Sequence, residues 1–152
     1  MESCFYVPIA MPPLRPFHIA FPVQDLAAAR QFYETTLGCP MGRQSDRWID
    51  FDFFGHQITA HLSDVSDSAM GTNPVDGNDI PVRHWGVILT REQWQSLVSR
   101  LKHHEVSFLV EPHIRFPGQP GEQATLFIKD PSGNVLEFKA FENDRMIFAA
   151  QE

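Results

Sequence analysis

Cysteine is scarce in this chain, with only Cys4 and Cys39 among 152 residues. No disulfide framework is visible, so a reducing, cytoplasmic setting is expected. Positive charge is also thin. Lys and Arg total 12 against 19 Asp and Glu, for a net charge of −7, and no basic cluster stands out. Phosphate neutralisation needs clustered cations, so neither a nucleic acid nor a polybasic membrane surface is expected as partner. Long apolar runs are missing, which excludes a membrane-spanning helix. The segment before Phe17 carries Glu2 and three prolines ahead of Pro16, and it lacks a basic start and an unbroken apolar stretch. It therefore does not read as a secretion signal. Apolar residues are not in short supply. They make up 43% of the chain and include 13 Phe and 3 Trp, enough for a largely aromatic core.

The pattern of residues implies an α+β chain. Residues 1–16 read as an N-terminal arm. Phe17, Ile19, Phe21 and Val23 alternate with His18, Ala20 and Pro22, as a short strand requires. Asp25 is placed to cap a helix carrying Leu26, Ala29, Phe32, Tyr33 and Thr36, with Gly38 as its stop. Strands are expected at 47–54 and 57–63, and a middle strand between the helix and residue 47 is not evident. Residues 64–82 are rich in Ser, Asp, Gly, Asn and Pro and read as a linker or mobile loop.

The same grammar then restarts. A strand at 83–89 leads into a helix at 91–104 capped by Thr90. Strands follow at 107–116, 124–129 and 135–141, the last two joined by Asp130-Pro131-Ser132-Gly133-Asn134. Residues 142–152 form a tail. Two βαβββ modules, 17–63 and 83–141, are thus expected. His18 and His84 hold the same place in each first strand, 66 residues apart. A repeat of that length is a duplicated module, not a solenoid.

His18, His84 and Glu137 are the donor types of a divalent metal site with open positions. Fe, Mn, Ni, Co and Zn all suit them. Glu137 is flanked by apolar Leu136 and Phe138. A carboxylate on so buried a strand needs a partner, and a metal would be one. A lone strand histidine is more often structural, so the weight lies on the matched pair. His61, near the end of the first module's last strand, is a candidate fourth ligand, although it stands six residues after Gly55 while Glu137 stands four after Gly133. Glu111, His113 and Arg115 alternate on one strand. They read either as a substrate-side acid, base and anion anchor or as a plain half-solvated face.

These residues resemble the vicinal oxygen chelate superfamily of glyoxalases, extradiol dioxygenases and bleomycin-resistance proteins. The carriers are His18, Asp25-Leu26, Phe32-Tyr33 with Leu37-Gly38, His84, and Asp130 to Asn134 with Glu137. The resemblance spans about residues 17–141 and is similar to a bacterial subgroup of predicted dioxygenases. It implies a curved mixed sheet around a metal cleft, with His18, His84 and Glu137 as ligands. His61 falls where glyoxalase I has an extra carboxylate or amide ligand. It also implies a small substrate chelated through two oxygens, and a homodimer whose modules pair within or across chains. The expected activity is ring-cleaving dioxygenase or glyoxalase-type lyase or isomerase, with a non-catalytic drug-binding protein as the alternative. Four protein ligands would favour the lyase or isomerase, and three would leave room for O2.

Overall fold

The computed structural model describes residues 13–65 and 71–150. Most of the N-terminal arm with Cys4, residues 66–70 of the linker and the last two residues of the tail lie outside them.

Both expected modules are present. The first runs β1 (His18–Val23), α1 (Leu26–Arg30), β2 (Met41–Gln44), β3 (Trp48–Phe53) and β4 (His56–Leu62). The second runs β7 (Trp85–Ile88), α2 (Arg91–His103), β8 (Phe108–Arg115), β9 (Gln123–Lys129) and β10 (Val135–Phe141). Their sheets have the same order, β1-β4-β3-β2 and β7-β10-β9-β8. In each, the first strand lies parallel to the last and, among the described residues, forms an edge of its sheet. The missing middle strand of module one is β2, four residues of which only Met41 is even partly buried. Its MGRQ sequence has neither alternation nor β-branched residues, so pairing with β3, and not local propensity, makes it a strand.

The helix caps are the expected ones. Asp25 accepts from the Ala28 amide, and Thr90 closes a capping box with Gln93. Beyond Arg30, α1 widens into π-helical turns over Gln31–Thr36. That wider turn keeps both Phe32 and Tyr33 buried.

One continuous core joins the modules on the helix-facing sides of the sheets. Phe21, Tyr33 and Phe53 of module one meet Trp85 of module two at ring separations of 5.0, 6.4 and 5.3 Å. Tyr33, fully buried, donates its hydroxyl to Asp130 Oδ2 at 2.9 Å. Asp130 also accepts from the Ser132 and Asn134 amides and from Asn134 Nδ2. Asn134 Nδ2 in turn donates to the Pro22 carbonyl at 2.9 Å, and the Gln24 amide donates to Ser132 Oγ. The Asp130 to Asn134 turn therefore stitches the end of β1 to the start of β10. Burial pushes the Asp130 carboxyl above the ordinary aspartate range, against the pull of those donors. Burial, reinforced by Asp130, also raises the Tyr33 phenol well above its usual value, so it stays a donor at any ordinary pH.

Residues 72–81, linker or mobile loop by composition, form a hairpin instead, β5 (Thr72–Val75) and β6 (Asn78–Pro81). Its turn residues Asp76 and Gly77 have φ of +48° and +82°, the left-handed pair of a tight hairpin. Asp-Gly is a hairpin signal that the sequence carries in plain view. Ile80 anchors the hairpin, buried on Val110, Phe127 and Val135 of module two.

Cys39 follows the first helical segment and is buried and free. Burial, with a smaller push from Asp52 and an opposing one from Arg100, raises its thiol from 9.0 to about 12. Between those values an unfolded chain loses the proton while the folded chain keeps it. Stability is then fully present below about pH 9 and is lost as pH rises toward about 12. In a Cys4→Ser background, iodoacetamide at pH 8 is expected to leave native protein unlabelled and to label it fully in denaturant. Mass spectrometry reads the result, and prompt native labelling would refute the buried placement.

Candidate metal centre

Register divides each sheet into a core face and a site face. On module one, Ala20, Thr59 and Asp50 stand side by side across β1, β4 and β3. Their face also carries His18, Pro22, Gln57, His61, Trp48 and Asp52, two residues apart along each strand. On module two, Gly86, Glu137 and Phe127 stand side by side across β7, β10 and β9. Lys139, Thr125 and His113 share that face one pair further along.

His84 and Glu137 come together there. His84 Nε2 lies 3.3 Å from Glu137 Oε2, with both side chains largely shielded. Glu137 Oε1 accepts from Thr125 Oγ1 at 3.0 Å, which orients the carboxylate. His84 Nδ1 lies 2.8 Å from the Pro81 carbonyl, and the ring stands edge-on to Phe127 at 5.3 Å. A carbonyl only accepts, so Nδ1 carries a proton and donates it to Pro81. Nε2 faces a carboxylate oxygen, a contact that an imidazolium proton or a bound divalent cation would each satisfy. His84 and Glu137 would hold such an ion, with Pro81 and Thr125 as the outer contacts that orient these ligands.

Gly86 is fixed by the same geometry. A Cβ built at this position would fall on the Glu137 carbonyl. Only glycine lets β7 lie against β10 at the level of the candidate ligand.

The other expected donors are not gathered at this pair. No group of three or more His, Cys, Asp or Glu placed to hold a metal occurs within the chain among the described residues. His18 and His61 both lie exposed on module one's site face. Register also separates their standings. Glu137 lies opposite Gly86, two residues beyond His84. The matching place in module one, opposite Ala20 and two beyond His18, is Thr59. Thr59 is buried and donates to Asp50 Oδ1 at 2.6 Å. His61 lies opposite Pro22, four residues beyond His18, or about 13 Å along the strand.

Of the three residues expected on the substrate side, two remain on the site face. His113 and Arg115 pair with Thr125 and Gln123. An irregularity between Val110 and His113 takes Glu111 out of the alternation, and its side chain is exposed. Its carbonyl, not its carboxylate, meets His113 Nδ1 at 2.9 Å. Lys139 is a site-face residue that the sequence reading passes over. It lines a depression of about 260 Å³ with His84, Gly86, Ile88 and Glu137. Its spacing of two from Glu137 on β10 is the signal that finds it.

The family profile described as Glyoxalase/Bleomycin resistance protein/Dioxygenase superfamily matches residues 15–138. A glyoxalase/bleomycin resistance protein/dioxygenase structure from Alicyclobacillus acidocaldarius is 36% identical, covers 90% of this chain and 98% of its own, and superposes with a TM-score of 0.78. The virulence protein STM3117 of Salmonella typhimurium is 23% identical over 125 residues, 82% of each chain. A lactoylglutathione lyase structure from Agrobacterium tumefaciens, 21% identical over 86% of this chain and 96% of its own, shares the fold with a TM-score of 0.58. With two βαβββ modules of identical topology and a profile match over most of its length, the chain belongs to the glyoxalase/bleomycin resistance/dioxygenase superfamily.

Proposed function

We propose that this protein is a metal-dependent enzyme that chelates a small substrate through two oxygens, and that two copies build each site. The observation that carries the reading is His84 Nε2 held 3.3 Å from Glu137 Oε2, with Pro81 and Thr125 fixing the two side chains. The third ligand is His18. It lies on β1, an edge strand among the described residues, as β7 is on module two, and His18 is exposed there. An unpaired edge strand is a template for another chain. Joining β1 of one copy to β7 of another places a His18 beside His84 and Glu137, and a two-fold axis makes two such sites per dimer.

A divalent ion held by His, His and Glu supplies Lewis-acid stabilisation of charge developing on two substrate oxygens. The chain's own groups do the rest. Thr125 and Pro81 hold the ligand side chains in place. Lys139 offers a cation to a substrate oxyanion beside Glu137. Phe127 and the buried hairpin residue Ile80 keep water from one side of the pair.

Thr59, and not a fourth donor, occupies the repeat position of Glu137, which favours three protein ligands. Three leave room for a chelated diol and O2, so ring-cleaving dioxygenase is the first reading. Glyoxalase-type lyase or isomerase is the second, favoured by Lys139 as a proton-transfer group in the same depression.

Elemental analysis of protein purified without chelator tests the proposal. About one Fe, Mn, Ni, Co or Zn per chain is expected. No transition metal, and no uptake on reconstitution, would sink it. Oxygen uptake on adding catechols to the iron- or manganese-loaded protein would select the first reading over the second.

A further inference from the structure

The tip of the β5–β6 hairpin reaches across module two's site face. Asp76 Oδ2 lies 2.8 Å from His113 Nε2 and 2.9 Å from Arg115 Nε. An imidazole and a guanidinium from alternate positions of one strand thus converge on one carboxylate oxygen. The fit is poor on one side. Arg115 Nε is buried yet makes no hydrogen bond, because Asp76 lies off its N–H axis. The guanidinium is further positioned over the Phe116 ring, at 4.9 Å. His113 is fixed from behind by the Glu111 carbonyl at 2.9 Å, so its Nδ1 donates there and Nε2 points at Asp76.

The location is suited to a ligand. His113 is the cross-strand neighbour of Thr125, which holds Glu137. The His113 and Arg115 pair therefore sits two strands from Glu137, about 10 Å, on the same face. The carboxylate now there belongs to a short hairpin whose two strands are largely exposed. Ile80 roots its β6 strand in a small apolar cluster, while Asp76 and Gly77 form its exposed tip.

We propose that His113 and Arg115 form a carboxylate-binding site that Asp76 occupies from within the chain, and that a carboxylate-bearing ligand displaces the hairpin tip to enter. Only the choice of site face rests on the proposed function. The site takes a defined substrate class, small acids whose carboxylate lies a ring or more from the chelating oxygens. Asp76 acts as an internal competitor, so the apparent affinity for such ligands is lowered by the fraction of time the tip is docked. Electrostatics sets the match, since a guanidinium and an imidazole favour a planar anion over a neutral amide of the same shape.

The experiment uses chelator-treated full-length protein, which separates it from the metal question. Benzoate is the probe and benzamide the neutral control, followed by NMR shifts of the Gly77 amide and the His113 ring. Asp76→Asn removes the charge and keeps a residue that tolerates positive φ. It is expected to bind benzoate about tenfold more tightly than the parent, with benzamide unchanged. Adding Arg115→Gln to Asp76→Asn is expected to abolish the gain. In the parent, saturating benzoate is expected to speed amide exchange across residues 72–81, a readout that stands even if the variant does not fold. Benzoate affinity within about twofold of the parent, benzamide binding as well as benzoate, or hairpin exchange unmoved by benzoate would each overturn the proposal. Absence of metal binding in the loaded protein would leave these results untouched and count only against the enzyme reading.

Discussion

Mixing His18→Ala chains with Glu137→Ala chains is expected to restore metal sites that neither variant has alone. Each variant lacks one ligand of every site it forms with itself. Loss of a direct ligand should cost at least the roughly 100-fold seen for outer-sphere partners, so both homodimers should purify metal-free. In a mixed dimer the Glu137→Ala chain contributes an intact His18. The His18→Ala chain contributes intact His84 and Glu137. One of the two sites is therefore whole. Random re-pairing makes about half the dimers mixed, so about a quarter of the parent's metal should return. A His84→Ala and Glu137→Ala mixture is the internal control. Both ligands come from one module of one chain, only 3.3 Å apart, so no pairing rebuilds the site. If the first mixture binds no more metal than its components, or the control recovers as well, the shared-site arrangement fails. Light scattering showing only monomer at micromolar concentration would rule it out by another route.

Replacing Gly86 by Ala is the substitution expected to damage the fold most for its size. The added methyl falls on the backbone carbonyl of Glu137, which cannot rotate aside as a side chain would. Relief requires β7 to move away from β10, and that pairing covers only Leu136 to Lys139. Overpacking a core typically costs about 1–3 kcal/mol, and a rigid backbone obstacle belongs at or above the top of that range. About 3 kcal/mol would lower the Tm by roughly 6–12 °C in a chain of this size. Calorimetry would measure it. Ala at the repeat-matched position in module one is native, since Ala20 lies opposite Thr59 in an unbroken register. Gly86→Ala with parental Tm would mean that β7 does not sit where the structure puts it. The same movement drags Glu137 from His84, so metal affinity is expected to fall with stability.

Much of the fold is legible in the sequence because local chemistry and tertiary structure agree in this chain. The caps Asp25 and Thr90, the stop at Gly38 and the Asp130 to Asn134 turn announce the helices and the last hairpin. They work through contacts only a few residues away. The strand β2 is illegible for the opposite reason. Its exposed residues carry no burial pattern, and its partner β3 makes it a strand. The hairpin at 72–81 is hidden because polar composition outweighs the Asp-Gly signal at its centre.

For the site, the sequence alone showed histidines recurring at matched places, His18 and His84, while Glu137 rested on its apolar flanks and on the family resemblance around Asp130 to Asn134. Periodicity along a strand tells which face a side chain takes, and repetition tells which positions correspond. Neither says which strands lie side by side, or how a bulge shifts them. Tertiary structure decided those matters. It brought His84 and Glu137 together through the parallel pairing of β7 with β10. By the register of β1 on β4 it put Thr59, and not His61, at the matching place in module one. It left His18 on an edge strand of the described sheet, and it set Asp76, from a segment with the composition of a linker, against His113 and Arg115. Each of these rests on contacts between residues far apart in the chain, and pairing across strands is a property of the folded sheet that no local window contains.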